Sequence, residues 1–134
     1  MVTITIEYRG DLHCRAVHGP SGTVINTDAP ADNHGKAESF SPTDLVATAL
    51  GSCILSVMGI KAQAMALDSG GATATIDKEM VNVPSRMIHS LAVHIHVPHK
   101  LSDRDRKILE AAAYSCPVHK ALHGVEMPLR FTWG

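Results

Sequence analysis

Hydrophobic and polar residues along this chain alternate, then cluster, and each change of rhythm marks an element. Val2, Ile4, Ile6 and Tyr8 alternate with Thr3, Thr5, Glu7 and Arg9, the period of a half-buried strand. A loop of Gly10-Asp11-Leu12 then sets Cys14 and Ala16 on the core face with Ile4 and Ile6, and places Arg15 opposite Glu7 on the other face. Pro20-Ser21-Gly22 turns the chain into a short strand, Thr23-Val24-Ile25, and residues 26–40, rich in Asp, Asn and Pro, read as loop. From Ser41 to Leu67 the alternation gives way to apolar residues spaced by three and four: Leu45, Val46, Ala49, Leu50, Cys53, Ile54, Val57 and Met58. Ser41 is the expected N-cap, Pro42 fits the first helical position, and Asp44 completes a capping box. Such a helix is long for a small domain, so it either kinks near Gly51 or Gly59 or packs against a second chain.

Gly70-Gly71 stops that helix and starts a strand over 72–80. In the strand over 89–97, Leu91, Val93, Ile95 and Val97 share one face and Ser90, Ala92, His94 and His96 the other. Ser102 with Asp105 three residues on opens a second helix with Ile108, Leu109 and Ala112 inward. Pro117 interrupts it or begins a shorter helix through Leu122. Met127, Leu129, Phe131 and Trp133 alternate as a closing strand. The order βββ-α-ββ-α(α)-β is α+β rather than doubly wound, and 134 residues make one domain, 1–134.

Composition narrows the function classes. A net charge of −1 gives no electrostatic basis for a nucleic-acid partner, and 45% hydrophobic residues argue against disorder. The first residues carry no signal-peptide pattern, and Asp44, Lys61 and Gln63 weaken any membrane span, so a cytoplasmic protein is expected. There the three cysteines are core filler, metal ligands or reactive thiols rather than structural disulfides. Cys14 reads as inert filler on the core face. Cys53 among Leu50, Ile54 and Val57 fits either core filling or chemistry. Cys116 precedes Pro117 at a helix start, where free N–H groups lower a thiol's pKa, with His119 one turn on. Cys116, His119 and His123 also form a C-x2-H-x3-H pattern that His94 and His96 could supplement as metal ligands. Pro117 at the first ligand makes a surface histidine stripe the simpler account, so neither metal nor cofactor is assigned.

Two stretches carry a resemblance. Ser-Pro-Thr-Asp-Leu-Val-Ala-Thr-Ala-Leu-Gly-Ser-Cys at 41–53 and Cys-Pro-Val-His-Lys-Ala-Leu at 116–122 resemble the two signature blocks of the OsmC/Ohr family, the osmotically inducible and organic-hydroperoxide-resistance proteins. The resemblance covers essentially the whole chain and implies an OsmC-like fold in an intertwined homodimer, with the long helices buried centrally and the sites at the subunit interface. It also implies a thiol-dependent peroxidase for small hydrophobic organic hydroperoxides, regenerated by an external dithiol. In that reading Cys53 is peroxidatic, Cys116 is resolving, and Arg15, with Arg9 in reserve, is the charge partner of the thiolate. Thr43 stands where the well-studied peroxidases carry a glutamate that holds a catalytic arginine, which places this chain nearer the OsmC-like branch. The alternative is a non-enzymatic dimer of the same fold that binds a small ligand or metal.

Overall fold

The computed structural model describes residues 1–134 and has the expected order. The elements are β1 (Ile4–Gly10), β2 (His13–His18), β3 (Val24–Asp28), α1 (Pro42–Ala64), β4 (Thr73–Val81), β5 (Met87–Val97), α2 (Asp103–Ala113), α3 (Pro117–Ala121) and β6 (Leu129–Trp133). They fall into two compact units, Met1–Val46 and Ala47–Gly134, each with its own three-stranded sheet.

In the first unit β1, β2 and β3 form an antiparallel meander. Ile6 lies opposite Ala16, Tyr8 opposite Cys14 and Glu7 opposite Arg15, the register that face matching requires. Burial is less complete than the alternation implies. Ala16 is buried, but Ile4 and Ile6 remain 55% and 60% exposed.

The loop expected over 26–40 is shorter than its composition suggests, because β3 continues through Thr27 and Asp28, paired with Cys14 and His13. Both residues are buried, against the usual habit of aspartate. Backbone satisfaction explains it. Asp28 Oδ2 accepts from the N–H groups of Lys36 and Glu38 at 3.2 and 3.0 Å, so one carboxylate organises the loop that follows. The Glu38 N–H is the main reason the Asp28 carboxyl sits below its ordinary value; burial opposes it, and His13 and the Lys36 and Ala29 N–H groups add to it. Gly35 lets this loop close: a Cβ there would lie 1.7 Å from the carbonyl oxygen of Ala29 and 2.1 Å from its carbon.

Helix α1 starts on a full capping box. Ser41 Oγ accepts from the Asp44 N–H at 3.1 Å, and the Ser41 N–H donates to Asp44 Oδ2 at 2.9 Å. It runs unbroken through Gly51 and Gly59, for roughly 35 Å. Its end comes earlier than Gly70-Gly71. Ala66, at φ 55°, takes the left-handed position, the Leu67 N–H bonds the Ala62 carbonyl at 2.9 Å and the Ala66 N–H bonds that of Gln63 at 3.1 Å, a Schellman closure made without glycine. By length and composition α1 is apolar enough to cross a bilayer.

The second unit has β4 antiparallel and β6 parallel to β5. Its core consists of Leu50, Ile54, Met58 and Ala62 from α1, Leu91, Val93, Ile95 and Val97 from β5, and Leu109, Ala113 and Cys116. Gly51 brings α1 onto β4, since a Cβ there would lie 2.7 Å from Ile76 Cδ1 and 3.6 Å from Ala74 Cβ. Ser102 caps α2 as expected, accepting from the Asp105 N–H at 3.1 Å. The buried face of α2 is Leu109 and Ala113, with Ile108 and Ala112 half-buried at its edge.

The Gly35→Ala variant should lose roughly 3 kcal/mol or more, because the clash is with backbone that cannot rotate away. A fall in Tm of roughly 10 °C is expected in thermal unfolding; an unchanged Tm would contradict the loop closure described.

Candidate functional site

Two thiols from distant parts of the second unit meet. Cys53 sits on α1 beside the fully buried Leu50 and Ile54, and is itself half-buried. Cys116 arrives from the other end of the unit. Helix α2 stops at Ala113, the Cys116 N–H bonds the Ala113 carbonyl at 3.3 Å, and Pro117 opens α3 in the position where its missing N–H costs nothing. Cys116 is therefore the N-cap of α3, and its Sγ accepts from the His119 N–H at 3.4 Å. Its solvent exposure is 0%, and Cys53 lies close enough to act on its thiol. Both thiols are free.

The helix start does not lower the Cys116 pKa as expected from sequence. Burial pushes it up, and the hydrogen bond to Cys53 pushes it further, outweighing the opposing His119 and Val118 N–H groups. Helix α3 has only five residues, so its aligned dipoles are few and desolvation wins. The result is an asymmetric pair: a half-buried sulfur and a fully buried thiol whose surroundings favour its neutral form.

The alternative ligand pattern does not share one helix face. His119 lies on α3, its ring edge-on to Tyr114 at 5.8 Å, but α3 ends at Ala121 and leaves His123 beyond it. His94 Nε2 and His96 Nδ1 both lie on Thr132 Oγ1, at 2.9 and 2.8 Å, tying β5 to β6. In the first unit, Arg15 pairs across β1 and β3 with Glu7 and Asn26, and Arg9 makes a 3.7 Å ion pair with Glu7. Asp44 serves the helix cap, and Thr43 Oγ1 meets Ser41 Oγ at 3.2 Å.

Comparison with known proteins adds the family frame. The OsmC-like protein family matches residues 34–130, which include both cysteines. No curated protein matches the chain. Among solved structures, a candidate osmotic stress induced and detoxification response protein from Psychrobacter arcticus 273-4 is 41% identical, covering 98% of this chain and 96% of its own, with a TM-score of 0.93. The organic hydroperoxide resistance protein OsmC of Legionella pneumophila shares the fold at 18% identity, 98% and 96% coverage and a TM-score of 0.79. So does the organic hydroperoxide resistance protein OhrB of Bacillus subtilis, at 14% identity, 98% coverage of both chains and a TM-score of 0.71.

The thiol asymmetry has a measurable pH signature. A raised pKa means that the fold favours the neutral Cys116 thiol, a contribution present below the ordinary value of 9.0 and lost as the pH rises through the higher folded value. Alkylation of the native protein at neutral pH, mapped by mass spectrometry, should modify Cys53 well before Cys116. Reaction of Cys116 should accelerate only in alkali, and preferential labelling of Cys116 at neutral pH would contradict the assignment.

Proposed function

The chain belongs to the OsmC/Ohr family, and on that premise we propose that it is a thiol-dependent peroxidase acting on organic hydroperoxides. The observation that carries this reading is the pair of neighbouring free thiols, Cys53 half-buried and Cys116 fully buried. Cys53, as thiolate, attacks the distal oxygen of ROOH. The O–O bond breaks, the sulfur is oxidised by two electrons to a sulfenic acid, and the departing alkoxide takes a proton and leaves as the alcohol. Cys116 sulfur then attacks the sulfenic sulfur, forming the Cys53–Cys116 disulfide and releasing water made of the sulfenic hydroxyl and the Cys116 proton. An external dithiol reduces the disulfide by exchange and is itself oxidised. Oxidation of Cys53 also removes a negative charge that opposes ionisation of Cys116, which eases the loss of the Cys116 proton in the second step.

Apolar residues around Cys53, among them Leu50 and Ile54, suit a hydrophobic peroxide better than hydrogen peroxide. Thr43 carries no charge to position an arginine, so in this reading Arg15, with Arg9 in reserve, stabilises the Cys53 thiolate by charge alone. Regeneration by an external dithiol would suit a reducing compartment, and in this reading the protein works in the cytoplasm.

The working form is a homodimer. Helix α1 is apolar on more of its surface than its own chain covers: Ile60 is 67% exposed, and β1 adds exposed Ile4, Ile6 and Tyr8. A second copy covering these faces would complete the core and account for the bilayer-like composition of α1 without a membrane.

Single-turnover trapping of sulfenic acid with cumene hydroperoxide should label the wild type and fail in Cys53→Ser; equal labelling of the two overturns the peroxidatic role. Cys116→Ser should retain one turnover and lose steady-state activity. Arg15→Ala should slow the first step by about tenfold or more, the loss expected from one unit of thiolate pKa. Sedimentation equilibrium at sub-micromolar concentration should show a dimer, and a stable folded monomer there would rule the assembly out.

A further inference from the structure

Outside the thiol pair, one cluster combines metal-ligating groups with an orphaned polar atom. His13 opens β2 and Asp28 closes β3, and the two are cross-strand partners. The loop pinned by Asp28 Oδ2 brings Glu38 to the same place. His13 Nε2 lies 3.6 Å from Asp28 Oδ1 and 3.5 Å from Glu38 Oε2, and the three atoms all fall within 4.8 Å of one another. Asp28 is 1% exposed, and its Oδ1 has no hydrogen-bond partner although Oδ2 has two. A buried carboxylate oxygen left without a donor normally carries a desolvation penalty, and this one lies within 4.8 Å of the ligand atoms of both other groups.

We infer that His13, Asp28 and Glu38 form a binding site for a divalent transition cation of the zinc class, with a fourth position left to water. Four features of the cluster support this. Ligand atoms bound tetrahedrally at about 2.0–2.2 Å stand roughly 3.3–3.6 Å apart, which matches both histidine distances. Those distances are longer than a usual hydrogen bond from Nε2 to either carboxylate. His13 Nδ1 already donates to the Asp11 carbonyl at 2.7 Å, which selects the tautomer with the Nε2 lone pair free and supplies the outer contact typical of metal-binding histidines. Two carboxylates and a neutral imidazole sum to a double negative charge that one divalent ion neutralises. Imidazole with carboxylate favours zinc and its neighbours over magnesium or calcium.

The ion would join the end of β2, the end of β3 and the loop, fixing the hairpin to the segment that leads into α1. This assignment is independent of the peroxidase reading, since no residue is shared with the thiol pair.

The test uses protein without a histidine tag, stripped by chelator, in a Cys53→Ser/Cys116→Ser background so that the adjacent thiols cannot bind zinc themselves. Calorimetric titration with Zn2+ should give one ion per chain, with a rise in Tm that tracks occupancy. His13→Gln and Glu38→Gln should each weaken Kd by about tenfold or more, with unchanged circular dichroism. Glu38, 57% exposed, makes the second variant safe for folding. Co2+ substituted for Zn2+ in the same Cys53→Ser/Cys116→Ser background should show d–d absorption without thiolate charge transfer from Cys14. Absence of saturable binding, or a Kd that neither variant moves, would overturn the site.

Discussion

A single chain of this size cannot enclose a long apolar helix, and that constraint shapes everything around α1. The helix buries one stripe, Ala47, Leu50, Gly51, Ile54, Met58 and Ala62, at spacings of three and four. Gly51 lets β4 approach closely enough for Ile76 and Ala74 to cover the stripe. Cys53 lies at the margin of that stripe, and its half-burial follows from where the coverage stops. Were the helix rotated by one position, Cys53 would be either sealed in the core or fully in water, and it would no longer lie both beside the buried Cys116 thiol and within reach of solvent.

The second sulfur is positioned by turn chemistry rather than by helix packing. Proline at the first position of α3 forces a break after α2, and the break makes Cys116 a cap rather than a helical residue. A cap directs its side chain back over the first turn, so Sγ collects the His119 N–H while facing Cys53. Packing then decides the electrostatics. The short helix offers N–H groups that favour a thiolate, but complete burial favours the thiol, and burial prevails.

Much of this was legible in the residues, and the exceptions share a cause. The Glu7–Arg15 register, the capping boxes at Ser41 and Ser102 and the inward face of β5 rest on local chemistry or short periods, which sequence displays directly. The thiol pair was reached through two signature blocks. What was missed depends on long-range context. Asn26, Thr27 and Asp28 have turn composition yet form the end of a strand, because β2 supplies partners and the later loop supplies donors for the carboxylate. His13, Asp28 and Glu38 follow no motif spacing, since the hairpin register and a loop closure bring them together. The left-handed Ala66 ends α1 where glycine would have announced it, and the Cys116 pKa reverses once burial is known.

The parallel pairing of β6 with β5 bears on the order in which the protein acquires its parts. An antiparallel neighbour such as β4 docks through a short connection, but β6 reaches its place only after the whole stretch 98–128 has crossed over. Closing that stretch costs more chain entropy than closing a hairpin. Both α2 and the Cys116 cap lie inside it, and Arg106 of α2 sits over the Trp133 ring of β6 at 5.9 Å, so the segment that carries Cys116 and the last strand settle together. On a ribosome, where the amino-terminal part emerges first, α1 and its sulfur are made long before their partner is enclosed. The thiol pair is thus among the last features of the fold to be assembled, and a chain truncated before Leu129 would carry both of its sulfurs without the strand that pairs in parallel with β5.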